Sequence, residues 1–394
     1  MKKNKILVWS EHIRARSGGP PTYIYNLKQS VIKSELDSHI FFLTDFMAQS
    51  DTINTESSGL LSKLGYFIPL KIKKNLSISR FIRTLRQYTP PQKVNYNDYN
   101  IIHFHSTIDL FKNIPYLKEY TGQVVLTSHS PKVCFKEFIE DVIKLPLTET
   151  HSANYNALEN IDLKAFERAD IIIFPCQEAM EPYYNTWDKF DRVIADKDIR
   201  YLLTASVKPT VSESTHAIRS KLSIPEDAFV ISYAGRHNAV KGYDLLKELG
   251  TGLLQDYSDI YFLILGKEEP LTGIDHDRWI EIGWTSDPHD YIGASDVFML
   301  PNRQTYFDLV LLEVLALGKI VVLSDSGGNR FFNKFDDAGF FLFQNEDLSS
   351  FREALLSVYN LNKEEKNQYG RHNADLFERY FSTGDFAVNY YNLF

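Results

Sequence analysis

The chain has 394 residues, of which 44% are apolar and 24% are charged, values typical of a soluble globular protein with two or three domains. Its formal net charge of −8 argues against nucleic acid as the main partner. The apolar run in the N-terminal sequence MKKNKILVWSEH is too short for a signal peptide or a membrane span, so a cytoplasmic protein is expected. Cys134 and Cys176 match no metal-binding or redox spacing and are interpreted as buried thiols.

Short apolar runs alternate with longer amphipathic stretches from one end of the chain to the other. Runs rich in Val, Ile and Phe are typical of strands that are buried on both faces of a parallel sheet. The stretches between them have helical spacing; in residues 310–317, for example, Leu311, Leu312 and Leu315 share one face. This alternation predicts two parallel α/β sheets. The predicted strands are residues 6–9, 39–43, 101–104, 124–127, 171–174, 229–233, 260–265, 297–300 and 320–323.

A polar stretch, VKPTVSEST, begins at Val207, contains a proline and has no periodic pattern. It predicts a boundary between a first domain of residues 1–206 and a second domain of residues 207–382. A further break near Gly384 precedes a stretch in which aromatic residues recur at helical spacing. Residues 383–394 are therefore predicted to form a separate C-terminal helix.

Two glycine pairs, Gly18-Gly19 and Gly327-Gly328, each follow a predicted strand and precede a helical pattern. Glycine lets the backbone approach a ligand closely, and a helix N-terminus favours an anion. The dinucleotide-binding spacing GxGxxG is absent. A phosphate-binding P-loop is also excluded, because the lysine of the sequence GRHNAVKG precedes the glycine. Each glycine pair is either a ligand contact or a simple turn.

The sequence GRHNAVKG at residues 235–242 places Arg236 and Lys241 between an apolar run and a helical pattern that contains Leu245 and Leu249. The two cations are thus predicted to stand where a strand passes into a helix. Anions bind at such positions, because the first backbone amides of a helix point towards them. The pattern predicts an anion site; the alternative is a solvated loop with two unrelated cations.

Several motifs follow one another along the chain: SGGPPTYIYNL, NIIHFHS, VVLTSHS and ERADIIIFPCQEAM, then AGRHNAVKG, FLILGKEEP and IEIGWTSDPHDYIGASDVFMLPNRQTYFDLVLLEVLALGKIVVLSDSGG. Together they resemble the retaining glycosyltransferases of family 4, most strongly over residues 229–329. The resemblance implies the GT-B fold, in which two Rossmann-like domains with doubly wound parallel sheets face each other across a cleft. It implies that the N-terminal domain binds the acceptor, that the C-terminal domain binds the nucleotide sugar, and that the final helix packs back on the N-terminal domain.

The resemblance also assigns roles to individual residues. As candidate catalytic groups, Arg236 and Lys241 are expected to bind the donor diphosphate and to stabilise the negative charge that develops as the sugar leaves. His129, the third candidate, is expected near the donor sugar and the acceptor. Glu313 is expected to accept hydrogen bonds from the ribose hydroxyls. The implied donor-binding residues are Gly18, Gly19, Gly266, Gly283, Thr305, Leu309, Val310 and Glu313.

Two positions depart from the family pattern. Where the family has a glutamate that holds the donor sugar, this chain has Thr305, and the usual Phe-Gly-Leu is here Phe307-Asp308-Leu309. The second change puts a carboxylate close to the expected phosphate site. Two interpretations stay open: an enzyme with an altered donor contact, or a catalytically silent partner that binds acceptor and stabilises an active glycosyltransferase. A nucleotide-sugar epimerase of the same architecture fits the motif order less well.

His103 and His105 alternate along a predicted strand, so their side chains point to the same face. No carboxylate pair lies near them in sequence, and strand histidines are commonly satisfied by hydrogen bonds in the core. The family is also metal-independent. We therefore expect no metal site.

Residues 57–97 contain eight cations and no acidic residue, a local reversal in a chain of net charge −8. Leu76, Ile78, Phe81 and Leu85 recur through this stretch at roughly helical spacing. A basic amphipathic helix of this kind can lie on anionic lipid. A helix packed on its own domain and a groove for an anionic acceptor are the alternatives. The residues assigned to this acceptor or membrane surface are Lys71, Lys73, Lys74, Arg80, Arg83 and Arg86.

The resemblance thus implies a metal-independent hexosyltransferase that needs no cofactor and transfers a hexosyl unit with retention from a nucleotide-diphosphate sugar, expected to be a UDP-sugar. The expected acceptor is a glycan, lipid-linked or protein-linked, and the leaving diphosphate is expected to help deprotonate its hydroxyl group. By analogy, the role is in bacterial cell-surface polysaccharide or glycoprotein assembly, in the cytoplasm or at the inner face of the cell membrane. A partner glycosyltransferase is a further candidate partner; nucleic acid is not.

Overall fold

The computed structural model describes residues 4–11, 19–46, 69–91 and 94–394. The strands within these ranges are β1 (Ile6–Trp9), β2 (Ile40–Phe42), β3 (Ile101–Phe104), β4 (Gln123–Leu126), β5 (Ile171–Phe174), β6 (Asp198–Tyr201), β7 (Phe229–Ala234), β8 (Ile260–Leu265), β9 (Trp279–Gly283), β10 (Val297–Leu300), β11 (Ile320–Ser324) and β12 (Phe340–Phe343). They form two six-stranded sheets, in the orders β2-β1-β3-β4-β5-β6 and β12-β11-β10-β7-β8-β9. Every strand pairing given for the two sheets is parallel.

Helices connect the strands, because two parallel strands cannot be joined by a tight turn. The helices of the described residues are α1 (Gly19–Lys33), α2 (Leu70–Arg86), α3 (Thr107–Asn113), α4 (Cys134–Glu137), α5 (Ser152–Arg168), α6 (Glu181–Thr186), α7 (Phe190–Ile194), α8 (Thr215–Lys221), α9 (Tyr243–Asp256), α10 (Pro288–Gly293), α11 (Leu309–Ala316), α12 (Leu348–Tyr359), α13 (Lys363–Leu376) and α14 (Phe386–Tyr391). Within the ranges given above, none is both long enough and apolar enough to cross a bilayer.

All nine predicted strands are confirmed to within one residue at each end. Three further strands, β6, β9 and β12, were not predicted, and each forms an edge of its sheet. An edge strand has a neighbour on one side only, so its side chains stay partly exposed and its sequence does not read as a continuous apolar run. The sequence DIRY of β6 shows this most clearly, because none of its four residues is buried.

The chain divides into two compact units, each built on one sheet. The first unit contains the described residues up to Phe174 together with Tyr183–Leu202 and Ala387–Phe394. The second contains Pro175–Pro182 and Leu203–Phe386. The long stretch of the second unit therefore begins at Leu203, four residues before the predicted boundary at Val207, and the chain returns to the first unit for its last eight residues.

One hydrophobic core cluster of the second unit lies between its sheet and helices α9 and α12. Leu246, Leu249 and Leu253 lie on one face of α9 and are buried in a cluster that includes Phe262 and Trp279. Burying an apolar side chain of this size stabilises the fold by about 1.5–3 kcal/mol. This packing fixes α9 on the sheet, and with it the loop that joins β7 to α9.

The C-terminal segment is tied into the first unit by polar contacts as well as by packing. The amide of Ala387 donates to the Ser30 hydroxyl at 2.8 Å, and the side-chain amide of Asn4 donates to the carbonyl of Phe394 at 3.1 Å. Ala387 and Tyr390 of α14 are buried. These contacts join residues 357 and 390 positions apart, so segments from both ends of the sequence contribute to the first unit.

The hydroxyl group of Tyr390 closes a buried hydrogen-bond chain. Thr127 donates to the carbonyl of Ile173 at 3.2 Å, so its oxygen accepts from Nε2 of His103 at 2.9 Å. Nδ1 of His103 is then an acceptor, and the Tyr390 hydroxyl donates to it at 2.9 Å. His103, which was predicted to be satisfied within the core, has both ring nitrogens hydrogen-bonded.

Tyr390→Phe should lower the free energy of unfolding by about 1–3 kcal/mol, because it keeps the ring but leaves a buried acceptor on His103 without a donor. Tyr391→Phe is the matched control, since within the described residues the Tyr391 hydroxyl has a single, long hydrogen bond, of 3.5 Å to the carbonyl of Asn4. Urea denaturation measures both. Equal effects of the two substitutions would contradict the role given to the Tyr390 hydroxyl.

Candidate functional site

The loop of residues 235–242 runs from the end of β7 to the start of α9, and its backbone has little freedom. Gly242 has φ +65°, and a Cβ atom added there would lie 1.8 Å from the carbonyl oxygen of Pro301. Only glycine fits a left-handed conformation with so close an approach. On another side, the guanidinium of Arg303 donates to the carbonyl of Ala239 at 2.6 Å. The loop is therefore held by two independent contacts.

Arg303 is itself held by Asp244, the second residue of α9. Two nitrogen–oxygen contacts of 2.6 and 2.9 Å join the guanidinium to the carboxylate. Burial acts to raise the pKa of Asp244, but the hydrogen bonds from Arg303 and its charge outweigh burial, and the pKa is lowered. The carboxylate is therefore charged at neutral pH, and the clamp on the loop is a charge-assisted one.

Glycines also bring the ends of three neighbouring strands together. Gly266, after β8, has φ +134°, and a Cβ atom there would lie 1.9 Å from the carbonyl oxygen of Gly235, after β7. The amide of Gly266 donates to the carbonyl of Gly283, the last residue of β9, at 2.9 Å. Gly283 has φ +74°. Gly266 and Gly283, predicted as donor-binding residues, thus have a structural reason to be glycine that is independent of any ligand.

Arg236 and Lys241 lie on the same loop but have different environments. Arg236 is exposed, and its guanidinium makes no ion pair with any residue that the structure describes. The ammonium of Lys241 lies 2.9 Å and 3.1 Å from the two carboxylate oxygens of Asp308. Among the residues that the structure describes, the loop therefore presents one unpaired cation and one cation that is already paired.

Asp308 precedes α11 and is held on a second side. The buried side-chain amide of Asn302 donates to its Oδ2 atom, and the hydroxyl of Thr305 lies 3.4 Å from the same oxygen. Thr305 is only 1% exposed. The two positions at which the sequence departs from the family pattern therefore contact each other, and Thr305 faces Asp308 rather than solvent.

His237 is the third basic side chain of the loop, and it is fully buried. Its ring stacks on the ring of Tyr243, with the centroids 4.0 Å apart and the planes 5° apart. Burial lowers the pKa of His237, although the charge of Glu268 and the nearby carbonyl of Leu265 act to raise it. His237 is therefore neutral at physiological pH, and the positive charge of the loop comes from Arg236 and Lys241 alone.

Glu313 lies on α11, and His289 on α10 holds its carboxylate. The distance between Nε2 of His289 and Oε2 of Glu313 is 2.9 Å. The His289 side chain is 8% exposed and that of Glu313 is 24% exposed, so the other carboxylate oxygen is the more available to a ligand. Sequence reasoning missed His289, because a contact between residues 24 positions apart leaves no local pattern.

Leu309 and Val310, predicted to offer backbone amides to phosphate, form the first turn of α11. Both are partly exposed. The first amides of a helix have no acceptor within it, so this turn can donate to an anion. Glu313 follows one turn later on the same helix.

In the first unit, His129 follows β4 with φ +57°, an uncommon conformation for a residue other than glycine. Its Nε2 atom lies 2.8 Å from Nδ1 of His105, and its ring packs on that of Tyr23 with the centroids 4.6 Å apart. Burial lowers the pKa of His129 to about 3 and that of His105 well below its usual value. His129 therefore serves as a neutral hydrogen-bonding group at physiological pH.

The other predicted glycines are less informative. Gly18 lies outside the described residues. Gly19 begins α1, and apart from its chain neighbours and its own helix no described atom lies within 4 Å of a Cβ added there. As for metals, the part of the chain that the structure describes contains no group of three or more His, Cys, Asp or Glu side chains placed to hold an ion.

The predicted basic helix is α2, and one of its faces is exposed. Ile78 and Leu85 are buried against the first unit, and Asn75 is fixed by hydrogen bonds to Glu149 and Asn154. The exposed face combines apolar side chains with cations. Its exposed residues include Leu70, Lys71, Ile72, Lys73, Leu76, Arg80, Arg83 and Arg86. Lys74, also assigned to this surface, is partly buried and donates to the carbonyl of Lys144.

Residues 228–360 match the family described as glycosyl transferases group 1. Two curated relatives are UDP-Gal:alpha-D-GlcNAc-diphosphoundecaprenol alpha-1,3-galactosyltransferase of Escherichia coli, 28% identical over 150 residues, and glycogen synthase of Acholeplasma laidlawii (strain PG-8A), 27% identical over 156 residues. The first alignment covers 35% of this chain and 38% of the relative, and the second covers 36% and 32%. The chain thus matches about a third of the length of each relative.

Similar solved structures cover almost the whole chain. Sucrose-phosphate synthase from Thermosynechococcus elongatus has a TM-score of 0.65 at 17% identity, covering 98% of this chain and 97% of that one. HepE of Anabaena, solved in complex with UDP and glucose, has a TM-score of 0.61 at 13% identity, covering 99% of both chains. At these identities the likeness concerns the fold. It confirms the predicted GT-B fold with two Rossmann-like units.

Proposed function

We propose that the protein is a retaining, metal-independent hexosyltransferase of glycosyltransferase family 4. The observation that carries the proposal is the placement of Arg236, Lys241, the first turn of α11 and Glu313 within the one unit that matches the group 1 glycosyltransferases. Cations, free amides and a carboxylate are the groups that bind a nucleoside diphosphate. A UDP-sugar is the proposed donor, since the E. coli relative is named for UDP-Gal and HepE was solved with UDP and with UDP-glucose.

In the proposed reaction, the bond between the sugar and the diphosphate breaks and negative charge builds up on the phosphate oxygens. Arg236 and Lys241 stabilise that charge as it forms, and the amides of Leu309 and Val310 donate to the same group. Glu313 accepts from the ribose hydroxyls. The acceptor oxygen forms the new bond to the anomeric carbon, and the leaving diphosphate takes the proton of that hydroxyl. The neutral His129 orients hydroxyl groups of sugar or acceptor.

The proposed acceptor is a glycan carried by a lipid or a protein, and the proposed role is bacterial cell-surface polysaccharide or glycoprotein assembly. The E. coli relative supports this role, because its name describes a diphosphoundecaprenol-linked acceptor. The proposed place of action is the inner face of the cell membrane, with α2 towards anionic lipid. We also propose a second glycosyltransferase as a candidate protein partner.

Turnover by the purified chain over a panel of nucleotide sugars, with a crude glycolipid or glycopeptide mixture as acceptor, tests the enzymatic function. Arg236→Ala and Lys241→Ala should each slow transfer by roughly 10²–10³-fold, as expected for loss of an electrostatic stabiliser. Lys221→Ala, an exposed cation on α8, is the control and should leave turnover unchanged. Inactivity with every donor, relieved only by a second transferase that is inactive alone, would instead identify a silent partner.

Glu313→Ala should weaken UDP binding about tenfold or more, as expected for loss of a hydrogen bond to a charged group. Inorganic pyrophosphate, which lacks the ribose, should bind equally well before and after the substitution. Calorimetry with the two ligands measures this difference. An equal loss for both ligands would place Glu313 on the phosphates rather than on the ribose.

His289 should act by holding Glu313, so His289→Gln, which keeps a donor, should preserve UDP affinity better than His289→Leu. Calorimetry with UDP measures the affinity of both variants. If Gln and Leu weaken UDP binding equally, the hydrogen bond is not what His289 contributes.

Replacing Lys71, Lys73 and Arg80 together by Glu should lower binding to vesicles with anionic lipid by about 10²-fold or more. Each lost cation removes on the order of 1 kcal/mol, and each new carboxylate is repelled by the lipid. Vesicles of phosphatidylcholine alone should bind neither protein. The control carries three exposed cations of the second unit changed to Glu, namely Lys221, Lys363 and Arg371. Loss of acceptor use with unchanged vesicle binding would assign the surface to an anionic acceptor.

A further inference from the structure

The ion pair between Lys241 and Asp308 has consequences for the ligand of this site. Both oxygens of Asp308 lie within 3.1 Å of the ammonium, and both side chains are about one-fifth exposed. Among the residues that the structure describes, Asp308 is the only ion partner of Lys241. Lys241, which the proposed function assigns to phosphate binding, is thus already paired with a carboxylate.

Asp308 is fixed where it stands. Besides the ammonium of Lys241, it accepts from Asn302 and, at the longer distance of 3.4 Å, from Thr305. Asn302 and Thr305 are buried, so these donors are not free to turn towards another acceptor. Moving the carboxylate away would leave buried donors unpaired, which is costly. An incoming diphosphate therefore meets Asp308 in place.

We propose that Asp308 is an affinity-determining residue of the anion site, an internal anion that competes with the ligand phosphates for Lys241. The inference rests on the proposed function, since it presupposes that the site takes a diphosphate. With Arg236 and Lys241 charged, Asp308 lowers the local charge from +2 to +1. A diphosphate must then share Lys241 with a like charge a few ångströms away, which weakens its binding.

Thr305 belongs to the same hydrogen-bonded group as Asp308. Its hydroxyl can donate to Asp308, whereas a carboxylate at position 305 would put a second negative charge against the first in a buried place. Positions 305 and 308 therefore accept one carboxylate between them. The two departures from the family pattern therefore depend on each other: the carboxylate of Asp308 requires an uncharged donor at position 305, and Thr305 supplies it.

The test compares wild type with Asp308→Asn by calorimetry, using UDP and inorganic pyrophosphate as probes. Asp308→Asn keeps the shape of the side chain and should bind both probes about tenfold more tightly. Asp256→Asn is the matched control, because Asp256 pairs with Arg352 at the far end of α9. Unchanged or weaker binding by Asp308→Asn overturns the inference. Absence of binding by wild type, Asp308→Asn and control alike would contradict the proposed function itself.

A double-substitution cycle tests the coupling without any ligand. Thr305→Glu should lower the midpoint of urea denaturation markedly in the wild-type background and much less in the Asp308→Asn background. The difference between the two costs measures the repulsion between positions 305 and 308. Equal costs in both backgrounds would show that the two positions are independent, and would overturn this part of the inference.

Discussion

The carbonyl oxygen of Gly235 lies 1.9 Å from the place where a Cβ atom at position 266 would stand, and Gly266 in turn donates to the carbonyl of Gly283. This backbone contact joins the ends of β7, β8 and β9. Because the strands are parallel, their carboxyl ends meet at one edge of the sheet, and the loops that follow them are forced together. The position of Arg236, next to Gly235, depends on this contact. Gly242 makes a similar approach to Pro301 and fixes the other end of the loop.

The charge of the site is lower than its sequence suggests. GRHNAVKG contains three basic side chains, but burial keeps His237 neutral, and Asp308 pairs with Lys241. Arg236 alone is exposed and outside any ion pair of the described residues. Among the described residues, the site thus combines one exposed, unpaired cation with one that is ion-paired to Asp308. Under the proposed function, such a site would stabilise the leaving diphosphate and still release it, and tight retention of product limits the turnover of many enzymes.

The strands that the sequence predicts correctly are the ones for which burial dominates. A strand inside a parallel sheet has apolar neighbours on both faces and on both sides, so its residues must be apolar throughout. At a sheet edge this demand weakens, and DIRY in β6 and WIEIG in β9 are edge strands that carry charged residues. FFLF in β12 is apolar, but it follows closely on the aromatic residues Phe331, Phe332 and Phe335, so composition alone does not separate it from them.

The site could be predicted in part, because some of its residues belong to local motifs and others do not. Arg236 and Lys241 stand on a short loop between a strand and a helix, and both elements are readable from their periodicity. The contact between positions 305 and 308 leaves no such local pattern. The sequence shows two departures from the family motif, and each of them, taken alone, suggests a lost donor contact. The hydrogen bond between Thr305 and Asp308 forms only once the turn before α11 is folded. Because the two side chains contact each other, the two changes are not independent. A missing motif residue is therefore weak evidence for a lost activity until the neighbours of that position in space are known.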